Sequence, residues 1–214
     1  MSQSEGAVSW TSATAIIAVV TALVSIGVMV SGSLDQAAGA LGFIPARLGG
    51  LLDVPGAVAA FLTPFSATLV HGGLVHLALN LVMLVWVGRQ VESVLGASAM
   101  ILAYLVGAVA AAAAQWIADP AAMVPMVGAS GAISAWFGIY ALLAARPKPV
   151  TRSLSLNRAI HAAWLLATWV IIQWMTQLLA GGQGVMLATP AHIGGFIAGL
   201  AMQRPLLLWR YRGA

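Results

Sequence analysis

The chain has 214 residues, of which 61% are hydrophobic and only 7% are charged. A soluble domain has about 25% charged residues, so this composition excludes an ordinary soluble enzyme and indicates one integral membrane domain. The formal net charge is +4, which in a membrane protein indicates cytoplasmic loops rather than nucleic-acid binding. The chain contains no cysteine, which excludes disulfides and thiolate metal sites.

Long apolar segments recur along the whole chain, and about 20 such residues cross about 30 Å of hydrocarbon. We predict an all-α, polytopic bundle of six transmembrane helices, called spans one to six, within a membrane domain of residues 13–208. The spans are predicted at 13–30, 76–91, 97–117, 130–145, 160–180 and 190–208. Residues 1–12 and 209–214 are expected to be short cytoplasmic tails. The start of the chain lacks the basic region of a cleaved signal peptide.

The segment between spans one and two has a different composition. Within it, residues 31–66 hold Asp35, Arg47, Asp53 and three prolines between short apolar runs. We expect a long, partly helical first loop, at about 31–70, lying at a membrane interface on the outer side.

The basic residues indicate an orientation. With six spans, one side of the membrane would hold eight of the nine basic residues and the other side only Arg47. The positive-inside rule then places both termini in the cytoplasm. The eight are Arg89, Arg146, Lys148, Arg152, Arg158, Arg204, Arg210 and Arg212.

Strongly polar residues at membrane depth are few, and such groups usually face a bundle interior or water. Distances along the helix axis follow from a rise of 1.5 Å per residue. Counted from the basic residues expected at the cytoplasmic ends, Ser130, His76 and His192 all lie about 18 to 27 Å above that face. Three spans therefore bring polar groups to one level, below the outer surface. The candidates are His71, His76, Asn80, Ser130, Gln173, Gln177 and His192.

Small residues mark one face of spans four and six. Gly131 and Gly138 stand at i and i+7, and His192, Gly195 and Gly199 stand at i, i+3 and i+7. Small faces let membrane helices approach closely. We therefore predict that the two spans pack backbone against backbone along an interface, called the seam. Ser130 and His192 are expected near its top, at the outer end.

A serine hydroxyl is a weak nucleophile until a base takes its proton. His192 is the best-placed candidate base for Ser130, since an imidazole has an ordinary pKa near 6.5. In the predicted topology no carboxylate lies at mid-span beside this histidine, so the simplest arrangement is a Ser–His dyad.

Acyl transfer also needs donors for a developing oxyanion. The backbone N–H of Ser130 would begin a helix, and the side chains of His76 and Asn80 share a face at i and i+4. Gly128 is expected to permit a sharp turn into span four, and Gly131 to let span six come close.

These residues form three motifs. They are His71-x4-His76-x3-Asn80, Gly128-Ala-Ser130-Gly131 followed by Gly138, and Ala191-His192-Ile-Gly-Gly195-x3-Gly199. In this order, over about 63–203, the sequence resembles the rhomboid family of intramembrane serine proteases.

The resemblance implies a role for each motif residue. Ser130 would be the nucleophile and His192 the general base, with His76, Asn80 and the Ser130 amide around the oxyanion. His71 would be structural and would brace the first loop. The resemblance also implies single-span membrane proteins as substrates and water entry from the outer face. Separately, the lack of a transit-peptide pattern favours a bacterial plasma membrane as the location. This chemistry needs no metal and no organic cofactor.

The sequence departs from the family pattern at two places. Members often carry a Trp-Arg pair in the first loop, where this chain has Phe61-Leu62-Thr63-Pro64. In some members an aromatic residue four positions after the serine stacks on the catalytic histidine, and here that residue is Ser134. The orientation of the histidine must therefore come from other packing or from a hydrogen bond.

Other interpretations compete with the protease. A catalytically inactive relative could bind and escort membrane helices, although such relatives typically lose the serine or the histidine. A transporter would show internal repeats and mid-membrane carboxylates, and the sequence shows neither. His71, His76 and Asn80 could bind a metal, but no carboxylate stands near them. In span five, Trp164, Trp169 and Trp174 could form a lateral substrate gate, but lipid-facing packing is favoured.

Overall fold

The computed structural model describes residues 12–143, 149–179 and 188–213. The side chains of Thr176, Gln177 and Leu179 are not among those described. The expectations for the tail before residue 12 and for Arg146 and Lys148 lie outside the described residues, and so do residues 180–187, which include the end of predicted span five.

The described chain is all-helical apart from turns and one isolated antiparallel bridge between Phe43 and Met126. Two short 3-10 helices, Ala60–Leu62 and Ala67–Leu69, flank α4. The α-helices are α1 (Ala13–Val30), α2 (Leu34–Leu41), α3 (Pro45–Leu48), α4 (Thr63–Ser66), α5 (Leu74–Leu95), α6 (Ala97–Ala118), α7 (Ser130–Leu143), α8 (Leu154–Leu179) and α9 (Thr189–Arg210).

A helix stands at each of the six predicted spans; α1 has the predicted bounds, and α6 and α7 begin at the predicted residues. Among the described helices, α1, α5, α6 and α8 are long and apolar enough to cross a membrane. The chain is therefore an integral, multi-pass membrane protein. The count of six spans stays a prediction, because α7 is described over 14 residues and α9 is not among those four helices.

The centre of the molecule is α7, which packs against α6 and α9, and these two helices also pack directly against each other. A Cβ atom on Gly199 would collide with the carbonyl oxygen of Ala135, and one on Gly195 would collide with that of Gly131. On the facing helix, a Cβ on Gly138 would collide with the carbonyl oxygen of Phe196. The backbones of α7 and α9 thus touch directly, which confirms the packing predicted from the glycine spacing.

The prediction for Gly131 was partly wrong. The position that a side chain would occupy on Gly131 lies 2.6 Å from the Cβ of Ala111, on α6. Only the carbonyl oxygen of Gly131 faces α9. The glycine that allows α9 to approach here is Gly195, while Gly131 allows α6 to approach α7 from another side.

The start of α1 is fixed by α5. The carboxylate of Glu92 accepts hydrogen bonds from the backbone N–H groups of Ala13 and Thr14, at 2.8 and 3.0 Å. It also accepts one from the Thr14 hydroxyl. These amides begin a helix and have no acceptor within it, and a negative charge is favourable at this end of the helix dipole. Glu92 therefore holds α1 against the body of the bundle.

The segment between α1 and α5 is joined to the segment that leads into α7. Phe43 and Met126 exchange backbone hydrogen bonds of 2.9 and 2.8 Å. Further along, the N–H of Gly128 donates to the carbonyl oxygen of Ala67 at 2.9 Å. These pairings fix the backbone immediately before Ser130.

Candidate active site

The turn into α7 requires a glycine. Gly128 has φ = +115°, which residues with a side chain rarely adopt. A Cβ atom here would also lie 2.8 Å from the Cε1 and Nε2 atoms of His76. The glycine therefore serves two purposes: it permits the turn, and it lets the His76 imidazole lie against the backbone that precedes Ser130.

Ser130 and His192 meet at the top of the α7–α9 seam. The Ser130 Oγ lies 2.9 Å from the His192 Nε2, and both residues are buried, with 7% and 4% exposure. A neutral imidazole protonated on Nδ1 accepts the serine O–H at Nε2. The Nδ1 atom is buried and has no hydrogen-bond partner among the described residues. The two side chains therefore form a hydrogen-bonded pair, and no third described side chain bonds to the imidazole at Nδ1.

His71 lies in the loop before α5 and links three parts of the chain. Burial and the nearby His76 lower the pKa of the His71 imidazole to about 3, so the ring is neutral at physiological pH. Its Nε2 accepts the N–H of Ala129 at 3.4 Å, and its Nδ1–H donates to the Ser25 Oγ at 2.9 Å. Ser25 in turn donates to the carbonyl oxygen of Leu69 at 2.8 Å. His71 thus connects α1 to the residue before Ser130.

Sequence analysis identified His71 as a brace but missed its partner on α1. Ser25 is 1% exposed, in the middle of a helix whose neighbouring residues are apolar. A serine hydroxyl buried in such a helix needs a hydrogen-bond partner. A serine among the apolar residues of α1 was therefore the sequence signal for this contact.

His76 and Asn80 lie one helical turn apart on α5. The His76 Nδ1 accepts the N–H of Gly72 at 3.3 Å, so its hydrogen is on Nε2, the atom beside Gly128. The Asn80 Nδ2 donates to the carbonyl oxygen of His76 at 2.9 Å, which uses one of its two hydrogens. No described hydrogen bond joins Asn80 to Ser130. The structure therefore places His76 at the start of α7, with Asn80 one turn deeper.

A cavity of about 20 Å³ is lined in part by the candidate nucleophile and base. This volume admits about one water molecule. Its lining includes Thr68, Gly128, Ser130, Gly131, Ala188 and His192. The first-loop region, α7 and α9 thus enclose a small space beside the Ser130 hydroxyl.

Helix α8 contributes two buried side chains, Gln173, which was among the candidate polar residues, and Trp169, which sequence analysis did not place in the site. Trp169 is 2% exposed, and its Nε1–H donates to the Ser134 Oγ at 2.7 Å. One turn further along, the Gln173 Nε2 lies 3.4 Å from the His192 Nε2. The sequence signal for the placement of Trp169 was its i, i+4 spacing to Gln173, which puts the tryptophan on the same helix face as the amide.

The lipid-facing interpretation of the three tryptophans was wrong for Trp169. Trp164 and Trp174 are 61% and 51% exposed, as lipid-facing side chains would be. Trp169 instead lies inside the bundle, with its ring centroid 4.5 Å from that of Phe137 and 6.3 Å from that of His192.

Comparisons with known proteins agree with the resemblance seen in the motifs. The family model described as "Rhomboid domain" matches residues 58–209, which is more than half of the chain. The chain is 43% identical to human "Rhomboid-related protein 3" over 75 residues, which cover 35% of this chain and 17% of that protein. It is 32% identical to "Rhomboid protease GlpG" of Pectobacterium atrosepticum over 139 residues, which cover 64% of this chain and 46% of that protein. The matches span less than half the length of each relative.

Proposed function

Because the chain belongs to the rhomboid family, we propose that it is an intramembrane serine endopeptidase. In this proposal, Ser130 is the nucleophile and His192 the general base. The observation that carries the proposal is the 2.9 Å separation of the Ser130 Oγ and the His192 Nε2, inside a membrane protein. A serine within hydrogen-bond reach of a base is the arrangement that activates a hydroxyl for nucleophilic attack.

The first half of the reaction forms an acyl-enzyme. As the Ser130 Oγ bonds to the peptide carbonyl carbon, its proton moves to the His192 Nε2. The carbonyl oxygen then carries a negative charge. The candidate donors to this oxyanion are the Ser130 backbone N–H, the His76 Nε2–H and the remaining N–H of Asn80. The C–N bond breaks as His192 returns the proton to the leaving amine.

The second half of the reaction uses water. His192 takes a proton from a water molecule, whose oxygen attacks the ester carbonyl, and the proton then returns to the Ser130 Oγ. The cavity beside these residues has the volume for about one water molecule. Its lining, which includes Ser130 and His192, supports this step.

Several features of the membrane setting belong to the same proposal. The substrates would be single-span membrane proteins, cut in or near the membrane where their helix unwinds. The protein would lie in a bacterial plasma membrane with six spans, both termini in the cytoplasm, and short tails at 1–12 and 209–214. The basic residues Arg152, Arg158 and Arg210 support this orientation, because they would all lie on the cytoplasmic side.

The wild-type protein in liposomes is expected to cleave a generic single-span reporter, since its hydroxyl and base are already within hydrogen-bond distance. Mass spectrometry of the products would locate the cut. We expect it in or near the membrane segment, with sensitivity to serine-directed phosphonates and no effect of a chelator.

The same assay tests the competing escort function. Several reporters that bind the protein in pull-down experiments but stay intact would contradict the protease proposal and favour a helix-binding role. Loss of cleavage on adding a chelator would also contradict it, because neither half of the proposed reaction uses a metal.

A further inference from the structure

The space beside His192, the candidate base, is filled by a side chain of α8 and not by one of α7. The residue on α7 that faces this region is Ser134, which is fully buried and small. The indole of Trp169, on α8, occupies the volume next to it and is 2% exposed. A small residue on one helix is thus matched by a large residue on its neighbour, as close packing of a protein interior requires.

The indole is held in one orientation by two contacts, a hydrogen bond that continues through Ser134 and a stacked ring. Its Nε1–H donates to the Ser134 Oγ at 2.7 Å, and the Ser134 O–H donates to the carbonyl oxygen of Ser130 at 2.7 Å. Its ring also stacks on Phe137, at 4.5 Å between centroids and 27° between planes. These contacts connect the indole to the backbone of the candidate nucleophile through one hydroxyl group.

The same indole packs against the imidazole of His192. The two ring centroids lie 6.3 Å apart, at 71°, which is an edge-to-face arrangement. Nothing in the described chain bonds to the His192 Nδ1, the atom that an orienting carboxylate would occupy in a triad. Packing must therefore supply much of the restraint on this ring, and among the described residues the Trp169 indole is the aromatic side chain that packs against it.

We propose that Trp169, anchored by Ser134, is a positioning residue that holds His192 in line with Ser130. The proposal rests on the proposed function and adds that α8 contributes to catalysis without touching the reacting atoms. Misplacing a general base by about 1 Å can cost about 100-fold in rate. The catalytic geometry thus depends on α8 remaining docked against α7.

The proposal predicts a graded loss of turnover. Trp169→Ala removes the ring and should lower kcat by about 10- to 100-fold, with KM changed by less than about 3-fold. Trp169→Phe keeps a ring but lacks the N–H, and Ser134→Ala lacks the acceptor, so each should lower kcat by a smaller factor of about 3 to 10. Trp164→Ala is the matched control on the same helix, because that side chain is 61% exposed, and it should leave kcat unchanged.

A reciprocal substitution distinguishes a positioning role of Trp169 from a loss of folding in the Trp169 variants. Ser134→Tyr alone should also lower kcat, because the space beside it is already filled by Trp169. In the Trp169→Ala background, however, Ser134→Tyr supplies an aromatic ring from α7 to the same space. The double variant should therefore recover most of the turnover that either single variant has lost. Thermal unfolding of every variant reports the folded fraction.

The outcomes distinguish this inference from the proposed function. If the wild-type protein neither cleaves a reporter nor reacts with a serine-directed phosphonate, the proposed function fails and the positioning role fails with it. If the wild type is active and Trp169→Ala and Trp169→Phe keep its kcat, only the positioning role is overturned. It is also overturned if kcat falls only in proportion to the folded fraction and Ser134→Tyr gives no recovery.

Discussion

Replacing Ser130 with alanine is expected to lower the rate of reporter cleavage by about 10⁴-fold or more, to the background rate. The substitution removes the atom that would bond to the carbonyl carbon, and Ser134 cannot replace it, because its hydroxyl is engaged with the Ser130 carbonyl oxygen and the Trp169 indole. The His192→Ala variant should lose a similar factor, since the serine hydroxyl then has no base at 2.9 Å. The measurement is kcat in liposomes of defined composition.

The double variant sharpens this prediction. Two groups that act as one unit give strongly non-additive losses, so Ser130→Ala combined with His192→Ala should be no slower than either single variant. Ser98→Ala and His161→Ala are matched controls, because both residues lie away from the seam, and they should keep the wild-type rate. A Ser130→Ala variant that retains a tenth of the wild-type rate would rule out the assigned nucleophile.

The second large effect is expected on stability. In Gly199→Ala, the added methyl group would collide with the carbonyl oxygen of Ala135. No side-chain rotation relieves a collision between a Cβ and a backbone atom, so α7 and α9 must separate along the seam. We expect a loss of about 2 to 4 kcal/mol in the free energy of unfolding, together with a fall in kcat as Ser130 moves away from His192.

The chain offers a matched control for that substitution. Gly27 lies inside α1, and a Cβ atom built on it would meet nothing within 4 Å. Gly27→Ala should therefore stabilise the protein by about 0.5 to 1 kcal/mol, because alanine is the better helix former. Unfolding in mild detergent by heat or denaturant measures both variants. Equal stabilities for Gly199→Ala and Gly27→Ala would contradict the direct backbone contact of α7 and α9.

The meeting of α7 and α9 was predictable because a helical period fixes which residues share a face. The spacing of Gly195 and Gly199 after His192 needed no tertiary information to indicate a close approach. The partner of Gly131 was not predictable in the same way. Every face of α7 is buried, so periodicity alone does not indicate which neighbouring helix each small residue meets.

The role of Trp169 illustrates a second limit. In a soluble protein, an apolar residue on a helix indicates the buried face. In a membrane helix, the lipid side is also apolar, so three tryptophans of α8 with different environments look alike in the sequence. Only the amide of Gln173, one turn away, distinguished the face of Trp169 from that of the two exposed rings.

The first-loop contacts could not be predicted from local patterns. The hydrogen bonds between Phe43 and Met126 and between Gly128 and Ala67 join residues far apart in the chain, through backbone atoms that carry no sequence signal. Span five was predicted at 160–180 from the apolar run alone. The helix α8 begins earlier, at Leu154, because a charged residue does not end a helix that extends beyond the hydrocarbon.

The central claim is that His192 activates the hydroxyl of Ser130. Its most direct test is to incubate the protein, in lipid, with a fluorophosphonate and to map the adduct by peptide mass spectrometry. The serine oxygen would bond to phosphorus, fluoride would leave, and the proton would pass to the histidine. We expect the adduct on Ser130 in the wild type, and labelling at least about 10³-fold slower in His192→Ala. An adduct on another serine, or equal labelling rates in the two proteins, would contradict the claim.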